Sequence, residues 1–184
     1  MITVLVPLAQ GCEEMEAVTI IDILRRAGID VVTAGLDSRP VKASRGVTLL
    51  PDTTLEQVVD RSFDMVVLPG GLGGTEALNS DPRIHKILEK TYRSGRYLAA
   101  ICAAPKVLAD AGLLEHRHAT CYPGVLDSQH YPEVKLLPDA VVSDERLVTS
   151  RGPGTAIDFA LTLVELLKGN LVRQQVEVGL VRGA

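Results

Sequence analysis

The sequence predicts an α/β fold with a mostly parallel central sheet covered on both faces. Two observations carry this: short continuous apolar runs alternate with amphipathic stretches of helical period, and glycine or proline marks most junctions between them. Ile2 to Val6 reads as a buried strand, Glu13 to Ala27 as an amphipathic helix closed by Gly28, and Ile29 to Ala34 as a second strand, giving a βαβ opening. Val41 to Leu50 suggests a hairpin around Arg45-Gly46. Met65 to Leu68 is a third core strand ending in Pro69-Gly70-Gly71.

A helix from Pro82 to Arg93, capped by Asn79, Ser80 or Asp81, precedes a strand from Tyr97 to Ile101. Cys102 follows, and a helix is expected at once from Ala103 to Leu108. The pattern then loosens: Ala119 to Gly124 reads as a strand end and turn, and Val141 to Thr149 as a hairpin about Asp144-Glu145. A long helix from Thr155 to Lys168 is stopped by Gly169. The tail, Val172 to Val181, fits either a short helix or a strand.

At 184 residues and 46% hydrophobic composition, residues 1–184 are expected to form a single domain with one sizeable core. With no Trp and two Phe, that core is aliphatic and offers no aromatic platform for nucleobases. A net charge of -4 argues against a nucleic-acid surface. No apolar run is long enough to span a bilayer, and the amino terminus lacks the features of a signal peptide. Three dispersed cysteines, Cys12, Cys102 and Cys121, show no paired spacing, so a reducing, cytoplasmic setting is expected rather than a disulfide framework.

In open α/β sheets ligands bind beyond the carboxyl ends of the strands. That rule selects the segments after Val6, Leu68 and Ile101. Cys102 sits on a strand-to-helix turn, where a nucleophile is exposed at the sheet edge and the following helix terminus favours a thiolate. The other reading is a buried core cysteine that merely ends a strand. Glu16 is the unusual acid: Ile20, Ile23, Leu24 and Ala27 share its helical stripe, so it lies on the face expected to be buried. Complementing the helix dipole explains Glu13 and Glu14 adequately and is the plainer role for Glu16 too.

A protonated Glu16 beside Cys102 would donate to the thiolate, whereas its anion would oppose ionisation, and the two would titrate as a coupled pair. Such a pair suits attack on a carbonyl followed by proton transfer. Pro69 to Gly74 lacks the lysine and hydroxyl residue of a phosphate loop, and Glu76 stands where a dinucleotide fingerprint needs glycine. An amide from Gly71, with that of Ala103, would instead serve as an oxyanion hole; a tight turn before a helix is the alternative. His85, His116, His118 and His130 show no ligand clustering, so no metal is expected. Gly152-Pro153-Gly154-Thr155 reads as a turn and cap, with anion binding as the alternative.

Gly11-Cys12-Glu13-Glu14-Met15-Glu16, Leu68-Pro69-Gly70-Gly71, Ala100-Ile101-Cys102-Ala103-Ala104-Pro105 and Thr149 to Thr155 together resemble the ThiJ/PfpI superfamily, and more narrowly its parkinsonism-associated deglycase branch. The resemblance implies a flavodoxin-like three-layer sandwich that forms homodimers. It gives Cys102 as the elbow cysteine, Glu16 as its buried acid partner, and Gly71 and Ala103 as the oxyanion amides. It also implies cofactor-independent conversion of glyoxal and methylglyoxal, or repair of early glycation adducts on proteins. Redox sensing through oxidation of Cys102 to a sulfinate, or an oxidative-stress chaperone role, is the alternative implied for the same sulfur.

One departure from the family pattern is visible. Some relatives carry a histidine at the position of Tyr122, so Tyr122 is expected to line the pocket without acting as general base. No residue after Cys102 supplies the histidine of the superfamily's peptidases, which makes peptide hydrolysis a minor alternative. Cys12 and Cys121 remain possible partners for an oxidised Cys102.

Overall fold

The computed structural model describes residues 1–182; the last two positions of the predicted 1–184 domain lie outside them. The elements in order are β1 (Thr3–Leu8), α1 (Glu14–Arg26), β2 (Asp30–Gly35), β3 (Val41–Lys42), β4 (Thr48–Leu49), β5 (Thr53–Thr54), α2 (Leu55–Val58), β6 (Met65–Leu68), α3 (Leu72–Ser80), α4 (Pro82–Arg93), β7 (Tyr97–Ile101) and α5 (Pro105–Asp110). They are followed by β8 (His118–Ala119), β9 (Lys135–Leu136), β10 (Val141–Asp144), β11 (Leu147–Ser150), α6 (Ala156–Lys168) and α7 (Asn170–Gly179).

Seven strands form the central sheet in the order β10-β11-β7-β6-β1-β2-β5. All neighbours are parallel except β10 and β11, the expected hairpin. Alternation along each strand sorts the core into two layers. Val4, Val6, Met65, Val67, Ala99 and Ile101 pack with Ile20 and Leu24 of α1 and Phe159 and Leu163 of α6. Leu5, Val66, Leu68, Leu98 and Ala100 pack with Ile84 and Leu88 of α4 and Val107 and Leu108 of α5. The result is the three-layer, flavodoxin-like sandwich that the resemblance implies.

Several boundaries differ from expectation for identifiable reasons. β1 runs on through Pro7 to Leu8, because β2 pairs with it along its whole length while pairing to β6 involves only Val4 and Leu5. The missing N–H of Pro7 therefore costs no bond to β6. The helix after Cys102 starts at Pro105 rather than Ala103, since Ala103 and Ala104 form a turn first. α3 is the helix that the tight-turn reading of Pro69 to Gly74 implies, and it starts early enough to take Gly73 and Gly74 into its first turn. The tail resolves as helix α7, and Asp81 alone caps α4 through its side chain.

Candidate active site

Three segments converge at the carboxyl edge of the sheet: the β1–α1 turn, the β6–α3 turn and the β7–α5 turn. They line a cavity of about 470 Å³ with Glu13, Gly71, Cys102, Ala103 and Tyr122 among its walls. Cys102 has φ +64, a left-handed conformation that costs a non-glycine residue about 1–3 kcal/mol and persists only where its surroundings hold it. They do: its N–H donates to Ser150 O at 2.9 Å, and its carbonyl accepts from Tyr122 N at 2.8 Å. β11 and the segment after β8 thus fix the elbow from both sides. Cys102 as a whole is 8% exposed.

Glu16 is fully buried on the first turn of α1 and faces the same point. Glu13 caps α1, its carboxylate accepting from Glu16 N at 2.7 Å, while the Glu13 N–H donates to Gly70 O at 2.9 Å. Glu16 Oε2 accepts from Gly70 N at 2.8 Å. Gly70 is where the two reactive side chains meet. A Cβ there would lie 2.6 Å from Cys102 Cβ and 2.7 Å from Glu16 Oε2, so only glycine lets both approach.

Burial pushes the Glu16 carboxyl up to about 7, against the opposing pull of the Gly70 amide and the Cys102 thiol. Burial and then the Glu16 carboxylate push Cys102 up to about 12, while the amides of Gly71 and Ala103 hydrogen-bond the sulfur and pull it down. This corrects the expectation that the following helix terminus favours the Cys102 thiolate over the thiol. The six-residue α5 begins three residues beyond the sulfur, and desolvation outweighs it. An acidic thiol here depends on Glu16 keeping its proton. Glu16 Oε1 is buried with no hydrogen-bond partner, which is costly for a carboxylate oxygen and accommodates a protonated one.

The structure therefore brings Cys102, Glu16, Gly71 and Ala103 together, and Tyr122 lines the cavity with its ring over Gly152. Cys12 and Cys121 are both free, and burial pushes Cys12 up to about 11 and raises Cys121 as well. Each histidine is engaged elsewhere: His85 with Asn79 O, His116 with Glu133, His118 with Asp144 and His130 with Asp127. Among the described residues no group of three or more His, Cys, Asp or Glu side chains is placed to hold a metal ion. Thr155 Oγ1 accepts from Gly152 N and donates to Gly152 O, the geometry of the turn-and-cap reading of that motif.

Sequence reasoning missed Gly70, Glu13, Ser44 and Arg45. Gly70 was hidden behind its neighbour Gly71, although both follow the strand. Ser44 and Arg45 reach the cavity on the β3–β4 hairpin, for which no local pattern gives a long-range placement. Glu14, expected only to complement the helix dipole, instead clasps that hairpin. Its carboxylate accepts from Ser44 Oγ at 3.1 Å and from the amides of Arg45 at 2.9 Å and Val47 at 3.4 Å.

Known proteins of similar sequence and fold cover most of the chain. The DJ-1/PfpI family description matches residues 2–166. Protein dj-1beta of Drosophila melanogaster is 46% identical over 182 residues, covering 96% of this chain and 95% of that protein. The glutathione-independent glyoxalase DJR-1.2 of Caenorhabditis elegans is 39% identical over 160 residues, covering 87% and 85%. The crystal structure of Drosophila melanogaster DJ-1beta superposes with a TM-score of 0.94 at 45% identity, covering 100% of this chain and 99% of that one.

Proposed function

The chain belongs to the DJ-1/PfpI family, and on that basis we propose that it is a cofactor-independent, cysteine-dependent glyoxalase or deglycase acting on glyoxal, methylglyoxal or their early protein adducts. The observation that carries the proposal is the contact of Cys102 with Glu16 at Gly70, with the Gly71 and Ala103 amides on the sulfur. A relative named as a glutathione-independent glyoxalase supports it.

The chemistry balances without an external oxidant or reductant. The Cys102 thiolate adds to the aldehyde carbon, forming a C–S bond, and the carbonyl oxygen takes a proton to give a hemithioacetal. In this reading the Gly71 and Ala103 amides, which hydrogen-bond the resting sulfur, donate to the developing oxyanion. A proton leaves the former aldehyde carbon and another reaches the neighbouring carbonyl oxygen, giving an enediol. Reprotonation at carbon and loss of the hydroxyl proton yield a thioester of the hydroxy acid. Water then cleaves the C–S bond, releasing the hydroxy acid and restoring the thiol. Glu16, the one buried carboxyl beside the sulfur, is the group that holds and returns protons. Tyr122 lines the cavity as a wall. No histidine does so, and peptide hydrolysis is not part of the proposal.

Met15 and Val18 leave large apolar side chains exposed on the outer side of α1. They support the homodimer as part of the same proposal, which sedimentation analysis checks. The purified protein is expected to convert methylglyoxal to lactate without glutathione, and Cys102→Ser to abolish that conversion. Full turnover by Cys102→Ser overturns the enzymatic reading. Oxidation of the same sulfur without any dicarbonyl turnover favours the redox-sensing alternative.

A further inference from the structure

The reactive cavity has one cationic side chain in its wall. Arg45 lies at the tip of the β3–β4 hairpin and is exposed, with Ser44 beside it in the same wall. Its position is over-determined. Glu14 receives the Arg45 amide, Ser44 N donates to Cys12 O at 2.8 Å, and Gly11 N donates to Lys42 O at 2.8 Å. The hairpin is thus fastened to the same α1 turn that carries Glu16. Its mount is rigid, and its charge is free. Arg25, Arg39, Arg83 and Arg117 are each paired with a carboxylate, whereas no ion pair or side-chain hydrogen bond engages the Arg45 guanidinium among the described residues.

An unpaired guanidinium held at the rim of a reactive cavity attracts an anionic group on whatever enters. Glu13, the acid in the same wall, is tied to Glu16 N and forms no ion pair with Arg45 among the described residues. We propose that Arg45 is a specificity-determining residue, and that the preferred small substrates are α-oxoaldehydes bearing a carboxylate or phosphate on the tail remote from the aldehyde. The aldehyde would meet Cys102 while the tail anion meets Arg45. The proposal deepens, and rests on, the glyoxalase reading of this cavity. Arg45 acts on the tail alone and takes no part in bond making.

The test compares dioxovalerate, an α-oxoaldehyde with a carboxylate at the end of a two-methylene tail, with neutral methylglyoxal. Wild-type protein, Arg45→Gln and Arg45→Lys are each assayed for turnover and for protection of Cys102 from alkylation by the two aldehydes. The ratio of kcat/KM for dioxovalerate over methylglyoxal is expected to fall about fivefold in Arg45→Gln, the scale of a partly exposed ion pair. Arg45→Lys should keep most of the preference, the loss in Arg45→Gln should fall mainly on the dioxovalerate constants, and added salt should erode the wild-type preference.

An unchanged ratio in Arg45→Gln, or a wild-type preference indifferent to salt, overturns the assignment. The salt test uses native protein and does not depend on the variants folding. If neither aldehyde is turned over, the glyoxalase reading fails by itself. Selective protection of Cys102 by dioxovalerate, lost in Arg45→Gln, would still uphold the anion subsite, and equal protection by both aldehydes would remove it.

Discussion

Replacing Gly70 by alanine adds one methyl group at the point where Cys102 and Glu16 meet. That methyl carbon would lie 2.6 Å from Cys102 Cβ, 2.7 Å from Glu16 Oε2 and 2.9 Å from Ile101 O. Carbon contacts are optimal at about 3.5–4.0 Å, so the overlap is about 1 Å. Ile101 O belongs to the β7 backbone, which leaves the two reactive side chains to move. A misplacement of about 1 Å costs on the order of a hundredfold in turnover. Overpacking of this kind costs about 1–3 kcal/mol, and each kcal/mol lowers Tm by about 2–4 °C in a chain of this size. Methylglyoxal turnover and thermal melting measure the two effects on one preparation. Wild-type kcat/KM together with wild-type Tm would refute the claim that Gly70 sets the Cys102–Glu16 approach.

The raised pKa of Glu16 makes stability pH-dependent with a defined sign. The folded state holds this proton more tightly than the unfolded chain, so the stabilisation is complete below the ordinary carboxyl value of 4.5 and is lost as pH rises through about 7. Relative to Glu16→Gln, wild-type protein should lose up to about 3 kcal/mol across that window in urea titrations; parallel curves would mean that Glu16 is not perturbed. Glu13→Ala removes the cap on α1 and should cost about 1 kcal/mol, lowering Tm by about 2–4 °C. An unchanged melt would deny Glu13 its capping role. Tyr122→Phe should keep most turnover, because the ring contributes a wall; a loss of about a hundredfold, the scale of a missing acid-base group, would make the hydroxyl catalytic.

Much of this arrangement is legible in residue order. The alternation that puts Val4 and Val6 on one face and Leu5 on the other is a strand signal, and the stripe from Glu16 through Ile20, Ile23 and Leu24 correctly implies a buried acid. Cys102 is recognisable because a run of apolar residues ends in it just before Pro105. What stays hidden depends on long-range packing. Nothing local distinguishes Gly70 from Gly71, yet Gly70 bounds both reactive groups while Gly71, at φ +85, turns the chain into α3. Arg45 reaches the cavity only because Glu14, 31 positions earlier, receives its amide. The acidity of Cys102 is equally non-local, since burial and the Glu16 carboxylate oppose it while the Gly71 and Ala103 amides favour it.

The central claim is that the reactive form has its negative charge on the Cys102 sulfur and its proton on Glu16. Infrared difference spectra recorded through a pH titration, with Glu16→Gln to assign the carboxyl band, locate that proton while ultraviolet absorbance follows the thiolate in the same sample. The account predicts that Cys102 thiolate absorbance first appears while the protonated-carboxyl band of Glu16 is still present, below the pH of about 7 at which that carboxyl titrates. Thiolate absorbance that stays absent until that band has been lost, a Glu16 carboxylate beside a neutral Cys102 thiol, would contradict it.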